Sequence, residues 1–297
     1  MATYGLWYFK AQSGFPEEFP NAGAPSTLKS LGFDYAIALY SSAKDKESGD
    51  LLYGGVPYSG ITYEDGYNDA LKFADWIDSK LRGIDYLVFI PVLADDYSLD
   101  FGSRTTQYLK GWVDGIYDNT SNYQKGFYWY LEYPWQVHDS IVYEETISEV
   151  SNHIRNKGQQ FIWIPYVNDR INLNNTDIKL LSKYFTYVFV QPHYYQTWRD
   201  YYTGNLREPP EKYPYLSEDG LNVLTGILEW IREIPNGYIE MEVDGTINSY
   251  PELINKACDY VTAQKNSVVG DIWPYRAYYY DTNLENIKSV RRQCPEW

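Results

Sequence analysis

Three acids alternate with three apolar residues in GYIEMEVDG (237–245): Glu240, Glu242 and Asp244 against Ile239, Met241 and Val243. A β-strand sends successive side chains to opposite faces, so one face here is apolar and the other carries three carboxylates in a row. GFYWYLEY (126–133) divides the same way, with Phe127, Trp129 and Leu131 on one face. Tyr128, Tyr130 and Glu132 share the other, with Glu132 last. Two such carboxyls are the minimum machinery for glycosidic hydrolysis. One is held protonated to protonate the leaving oxygen, and the other is ionised as nucleophile or base. A single inward Glu is as readily a polar interior residue without chemistry; the pairing of Glu132 with Glu242 favours a catalytic pair. Glu240, one rung deeper, is costly as an unpaired buried charge. It is expected to be protonated, or paired with an inward Arg or Tyr, and crowding with Glu242 raises the pKa of at least one of the two. Asp244 reads as a loop-start or cap residue.

The elements that must position these acids recur regularly. Strand-like runs occupy 4–9, 33–40, 85–93, 126–133, 160–167, 186–195, 237–245 and 271–280, rich in Val, Ile, Tyr, Phe and Trp and bounded by Gly, Asn or Asp. Helical patterns lie between them. The clearest, 63–83, places Ala70, Phe73, Ala74, Ile77 and Leu81 on one face, with Gly83 as its stop. Strict alternation predicts a parallel sheet covered by helices, and eight units predict a closed (β/α)8 TIM barrel, residues 1–297 as one domain. A doubly wound sheet has fewer strands and a Gly-rich switch-point loop. In a barrel, Glu132 and Glu242 both point to the C-terminal mouth, where active sites lie. The longest connections, 41–62 and 196–216, are βα loops that would wall a groove there.

Around this pair, His193 ends strand six on the face of Gln191, as a partner of a sugar hydroxyl or carboxylate or as a structural His, and Tyr166 and Asn168 end strand five; with Glu240 these residues are expected to bind the sugar. Asp169 beside them is a reserve acid. Trp273 on strand eight, and Trp135 and Trp198 just past strands four and six, are candidate stacking platforms, because a flat ring covers the apolar C–H face of a sugar.

The totals narrow the classes. Aromatics reach 18% of the chain, so a packed globule is expected, and a surplus of Tyr and Trp raises the odds of a sugar-stacking surface. A net charge of −15 repels phosphate backbones and argues against a nucleic-acid partner. No apolar run is long enough to insert in a membrane. MATYGLWYFK shows no signal peptide, which leaves a cytoplasmic location open alongside an extracellular or cell-surface one reached through a removed leader. Two cysteines, Cys258 and Cys294, give no framework and either pair or stay as thiols. Three histidines without ligand spacing predict no metal site, and the absence of nucleotide and dinucleotide fingerprints predicts no cofactor. A third option, a metal-dependent hydrolase, would need an ion near Asp169, His193 and Glu242. NTS at Asn119 and NNT at Asn174 match the glycosylation pattern at chance level.

Glu132 at the end of strand four and Glu242 at the end of strand seven resemble the acid/base and nucleophile of the large clan of retaining barrel glycosidases. That resemblance implies a carbohydrate substrate and retention of configuration. The clan usually places Asn before its acid/base, where this chain has Leu131. GFYW (126–129), FIWIPY (161–166), FVQPHYY (189–195) and EMEVD (240–244) are similar to a bacterial and archaeal family of the DUF4855 type. This second resemblance implies a barrel-like fold in a carbohydrate context. The family usually carries Asn in a QPNY stretch where this chain has His193. The rival expectation is a glycan-binding or surface-associated barrel with the aromatic groove and no hydrolysis.

Overall fold

The computed structural model describes residues 2–12, 15–41, 43–44, 51–52, 59–91, 105–167, 173–195, 220–267 and 269–297. Among the described residues, eight barrel strands alternate with eight α-helices. The strands are β1 (Ala2–Gln12), β2 (Tyr35–Ser41), β3 (Asp85–Ile90), β4 (Gln124–Trp129), β5 (Gln160–Trp163), β6 (Tyr187–Val190), β7 (Gly237–Glu242) and β8 (Tyr275–Tyr279). The helices are α1 (Pro25–Ser30), α2 (Tyr63–Leu81), α3 (Thr105–Asp118), α4 (Glu144–Asn156), α5 (Ile178–Leu181), α6 (Gly220–Ile231), α7 (Leu253–Asn266) and α8 (Glu285–Gln293). Each strand pairs in parallel with the next, and β8 closes on β1 through Ala2↔Tyr275 to Gly5↔Tyr278. The chain is a (β/α)8 TIM barrel.

Two antiparallel additions carry no clear signal in the sequence. Phe15–Glu18 folds back on β1, and Ala43–Lys44 pairs with Leu51–Leu52. Boundaries also tighten. Strand eight begins at Tyr275, four residues later than the apolar run suggests, and the helix after strand five is one turn extended by a 3₁₀ turn at Ser182–Tyr184.

The period of two sorts β1 cleanly. Trp7 and Phe9 pack on Trp76 and Phe73 of α2, while Tyr4 turns inward to Tyr35, Tyr187 and Phe189. Tyr4 stacks on Tyr35 at 4.7 Å and Tyr187 on Tyr275 at 4.7 Å, with Tyr238 5.0 Å from Tyr275. Gln160 accepts from the Tyr4 hydroxyl and donates to that of Tyr35. This tyrosine layer fills the N-terminal end of the barrel, as barrel interiors are filled by side chains rather than left as pores.

Outside the barrel, α2 opens on a capping box between Thr62 and Asp65 and ends before Gly83, whose φ of 119° only glycine adopts freely. Near its C-terminus Asp78 is buried and accepts from Tyr86 Oη (2.7 Å), Ser121 N (3.0 Å) and the Arg82 guanidinium (2.5 Å). Helices α2 and α3 touch backbone to backbone: a Cβ on Gly111 would lie 2.0 Å from the Tyr63 carbonyl oxygen. Cys258 of α7 and Cys294, just past α8, form a disulfide with Cα atoms 5.9 Å apart. Among the described residues no helix is long and apolar enough to cross a membrane.

Candidate active site

Glu132 lies three residues beyond the end of β4 and stays partly exposed. The approach to it is fixed by neighbours: the Trp163 indole donates to the Leu131 carbonyl (2.8 Å), and the backbone N–H of Tyr166 donates to that of Glu132 (3.2 Å). Its carboxyl accepts from the Tyr128 hydroxyl, two inward steps back, on β4. Burial among these side chains destabilises the ion and pushes the carboxyl up to about 7, although Tyr128 and Gln191 pull in the other direction.

Glu242 is the last residue of β7 and is 0% exposed. It accepts from the Tyr260 hydroxyl on α7 and from the backbone N–H of His193 (3.2 Å). Each of its two carboxyl oxygens thus faces a donor within the protein. Glu240, two residues back, is also 0% exposed, and neither of its carboxyl oxygens makes a hydrogen bond of ordinary geometry. Burial, then the charges of Glu242 and Glu132, push its carboxyl well above the usual range, with Gln191 near enough to oppose them slightly. The protonated alternative expected for Glu240 is therefore the one the geometry favours, and the three carboxyls interact as a cluster at the mouth.

His193 has a φ of 54°, in the left-handed region. Its ring returns to Gln191, with Nε2 against the carboxamide Oε1, and stacks on Tyr166 at 5.5 Å and 8°. Gln191 is locked by its backbone: its N–H donates to the Pro165 carbonyl (2.9 Å) and its carbonyl accepts from Val167 (2.8 Å). From His193 and Tyr166 the aromatic surface continues to Tyr133 (6.3 Å) and Trp135 (5.6 Å further), all four partly exposed. This row runs past Glu132.

Glu132, Glu240, Glu242, Gln191, His193, Tyr166 and Trp135 thus gather at one end. Trp273 does not. It precedes β8 and packs on Tyr238, the second residue of β7, at the opposite end of the barrel (6.2 Å). The reason is the later start of the strand: an apolar run from 271 reads as strand, but its first residues approach the barrel from below. Asn168, Asp169 and Trp198 lie outside the described residues. Asp244 caps the turn at Gly245–Asn248, accepting from Thr246 N (2.9 Å) and from Tyr195 Oη (3.2 Å). Among the described residues no group of three His, Cys, Asp or Glu side chains could hold a metal ion.

Tyr133 and Tyr260 escape sequence reasoning. Tyr133 has outward parity on strand four, but the strand ends at Trp129 and the alternation lapses. Tyr260 reaches Glu242 from a helix, and nothing local separates it from the other tyrosines among the chain's 33.

A family model described as a domain of unknown function, DUF4855, matches residues 106–208. An uncharacterized protein of Methanocaldococcus jannaschii is 39% identical over 340 residues, covering 99% of this chain and 94% of that protein. The chain belongs to the family of this archaeal protein. The DUF4855 match includes the residues GFYW, FIWIPY and FVQPHYY that carry the resemblance.

Among solved structures, concanavalin B is 11% identical with a TM-score of 0.45, covering 99% of this chain and 95% of that one. A GH18 chitinase of Flavobacterium johnsoniae is 12% identical with a TM-score of 0.42, covering 97% and 94%. A Group II chitinase catalytic domain of Ostrinia furnacalis is 16% identical with a TM-score of 0.36, over 63% of this chain. The chain spans 49% of that domain, about half its length. All three scores are below 0.5, and the barrel rests on its own strand pairings.

Proposed function

We propose that the chain is a glycoside hydrolase acting on an oligo- or polysaccharide with retention of configuration. Glu132 serves as acid/base and Glu242 as nucleophile. The observation that carries this reading is the pairing of two carboxyls from separate strands at one end of the barrel: Glu132, pushed up to about 7, can carry a proton at neutral pH, and Glu242 is held in place by two donors. Two carboxyls, one able to hold a proton, are what glycosidic hydrolysis needs. The row of Trp135, Tyr133, Tyr166 and His193 would seat the sugar rings against their apolar faces.

A second reading is supported by one observation. Glu242 is fully buried, which suits a glycan-binding barrel without turnover. A panel of polysaccharides and aryl glycosides separates the two. Turnover by the wild type that is lost in Glu132→Gln and in Glu242→Gln supports the enzyme, with product anomer read by ¹H NMR. Binding without turnover across the panel supports the second reading, and turnover that survives both substitutions removes the site.

A further inference from the structure

Three consecutive residues past β6 reach toward β7 and α7. The backbone N–H of His193 donates to Glu242 Oε1 (3.2 Å), and that of Tyr195 donates to the Tyr260 hydroxyl oxygen (3.4 Å). Between them, the Tyr194 hydroxyl donates to Asp259 (2.5 Å), and its ring packs edge-on against Tyr260 at 5.8 Å. With the Tyr195 N–H approaching its oxygen, the Tyr260 hydroxyl keeps its own proton for Oε2 of Glu242. Tyr260 is 0% exposed, so it meets that carboxyl from inside the protein and is out of reach of a sugar.

Lys256, Asp259 and Tyr260 stand at i, i+3 and i+4, on one face of α7. Lys256 Nζ closes a clasp there, donating to Asp259 (3.1 Å) and to the Tyr194 hydroxyl oxygen (3.2 Å). One turn on, Gln264 donates to the Tyr260 carbonyl (2.9 Å) and accepts from the backbone N–H of Trp273 (3.0 Å). On the opposite face Cys258, two residues before Tyr260, is bonded to Cys294 across a sequence separation of 36. Two further ties on that side, Lys265 with Glu296 and Gln293 with Asn255, are exposed and hold little.

We propose that Tyr260 is a positioning residue for Glu242, and that the α7 turn 256–260 is the mount that fixes it, clasped on one face by Tyr194 and on the other by the Cys258–Cys294 disulfide. Holding one carboxyl oxygen from α7 and the other from the end of β6 fixes the plane of the carboxyl. A nucleophile needs that, because it must meet the sugar carbon in one orientation. The catalytic meaning of the mount rests on the glycosidase reading, but the mount itself is a property of the folded protein and is measurable without substrate.

The test reads the Glu242 carboxyl ¹³C resonance at neutral pH, assigned through Glu242→Gln, together with amide hydrogen exchange. The proteins compared are the wild type, Tyr260→Phe and the double variant Cys258→Ser with Cys294→Ser. Tyr260→Phe keeps the ring and removes only the donated proton, so the resonance should move while exchange stays as in the wild type. The double variant should speed exchange of the α7 amides roughly tenfold, leave α2 and α3 unchanged, and move or broaden the same resonance. On a cleaved substrate, Tyr260→Phe should lower kcat roughly tenfold with KM held within about twofold. A Glu242 resonance that stays in place in Tyr260→Phe, or in the folded double variant, would overturn the mount. Should Tyr260→Phe fail to fold, Tyr194→Phe, which opens the clasp at Asp259, is read in its place. A moved resonance in a protein that cleaves nothing supports the mount and counts against the catalytic reading.

Discussion

The backbone N–H of His193 donates to Oε1 of Glu242 at 3.2 Å, tying the end of β6 to the end of β7. The bond depends on a left-handed residue at position 193. Asn and His are among the few side chains enriched there. A β-branched residue would break the geometry while leaving the neighbouring apolar packing untouched.

Glu132 sets the first prediction. With its carboxyl pushed up to about 7, activity that needs its proton should fall on an alkaline limb near neutral pH, and Glu132→Gln should lower kcat roughly 10²–10⁴-fold. Stability carries the opposite mark. A carboxyl whose folded pKa is raised contributes fully below its unfolded value near 4, and that contribution is lost as pH rises through about 7. Glu132→Gln should therefore match the wild type in urea melts at pH 4 and exceed it by about 2 kcal/mol at pH 8.5. Equal stability at both pH values would contradict the raised Glu132 carboxyl.

The aromatic row predicts a different kinetic signature. Trp135→Ala and Tyr166→Ala should each weaken oligosaccharide binding roughly tenfold by calorimetry, equivalent to about 1.4 kcal/mol. Their kcat should hold within about twofold, because these rings bind ground and transition states alike. Trp273→Ala, at the other end of the barrel, should leave affinity unchanged.

Asp78 predicts acid sensitivity. Burial raises its carboxyl, but donation from Ser121, Arg82 and Tyr86 outweighs that and brings it down to about 2. A lowered carboxyl contributes stability above its unfolded pKa near 4 and loses it as pH falls through about 2. Asp78→Asn should thus lower the Tm by several degrees at pH 7, and the gap should narrow steadily as both proteins are melted between pH 4 and pH 2.

Much of this was legible in the residues because a strand's period of two is rigid. Parity alone placed Tyr128 and Glu132 on one face and Glu240 and Glu242 on another strand's inward face, and β–α alternation closed the barrel. What escaped was set by tertiary contact. An apolar run does not reveal where strand pairing begins, so Trp273 reads as a platform on strand eight although it lies before β8. Tyr260 was missed as it reaches Glu242 from a helix, across a distance that no local pattern encodes. The Cys258–Cys294 pairing stayed open for the same reason: spacing alone does not bring α7 beside the end of α8.

The tyrosine layer formed by Tyr4, Tyr35, Tyr187, Tyr238 and Tyr275 also governs traffic. With that floor in place no passage runs through the N-terminal end of the barrel. On the glycosidase reading, substrate and attacking water would reach Glu132 and Glu242 from the C-terminal end.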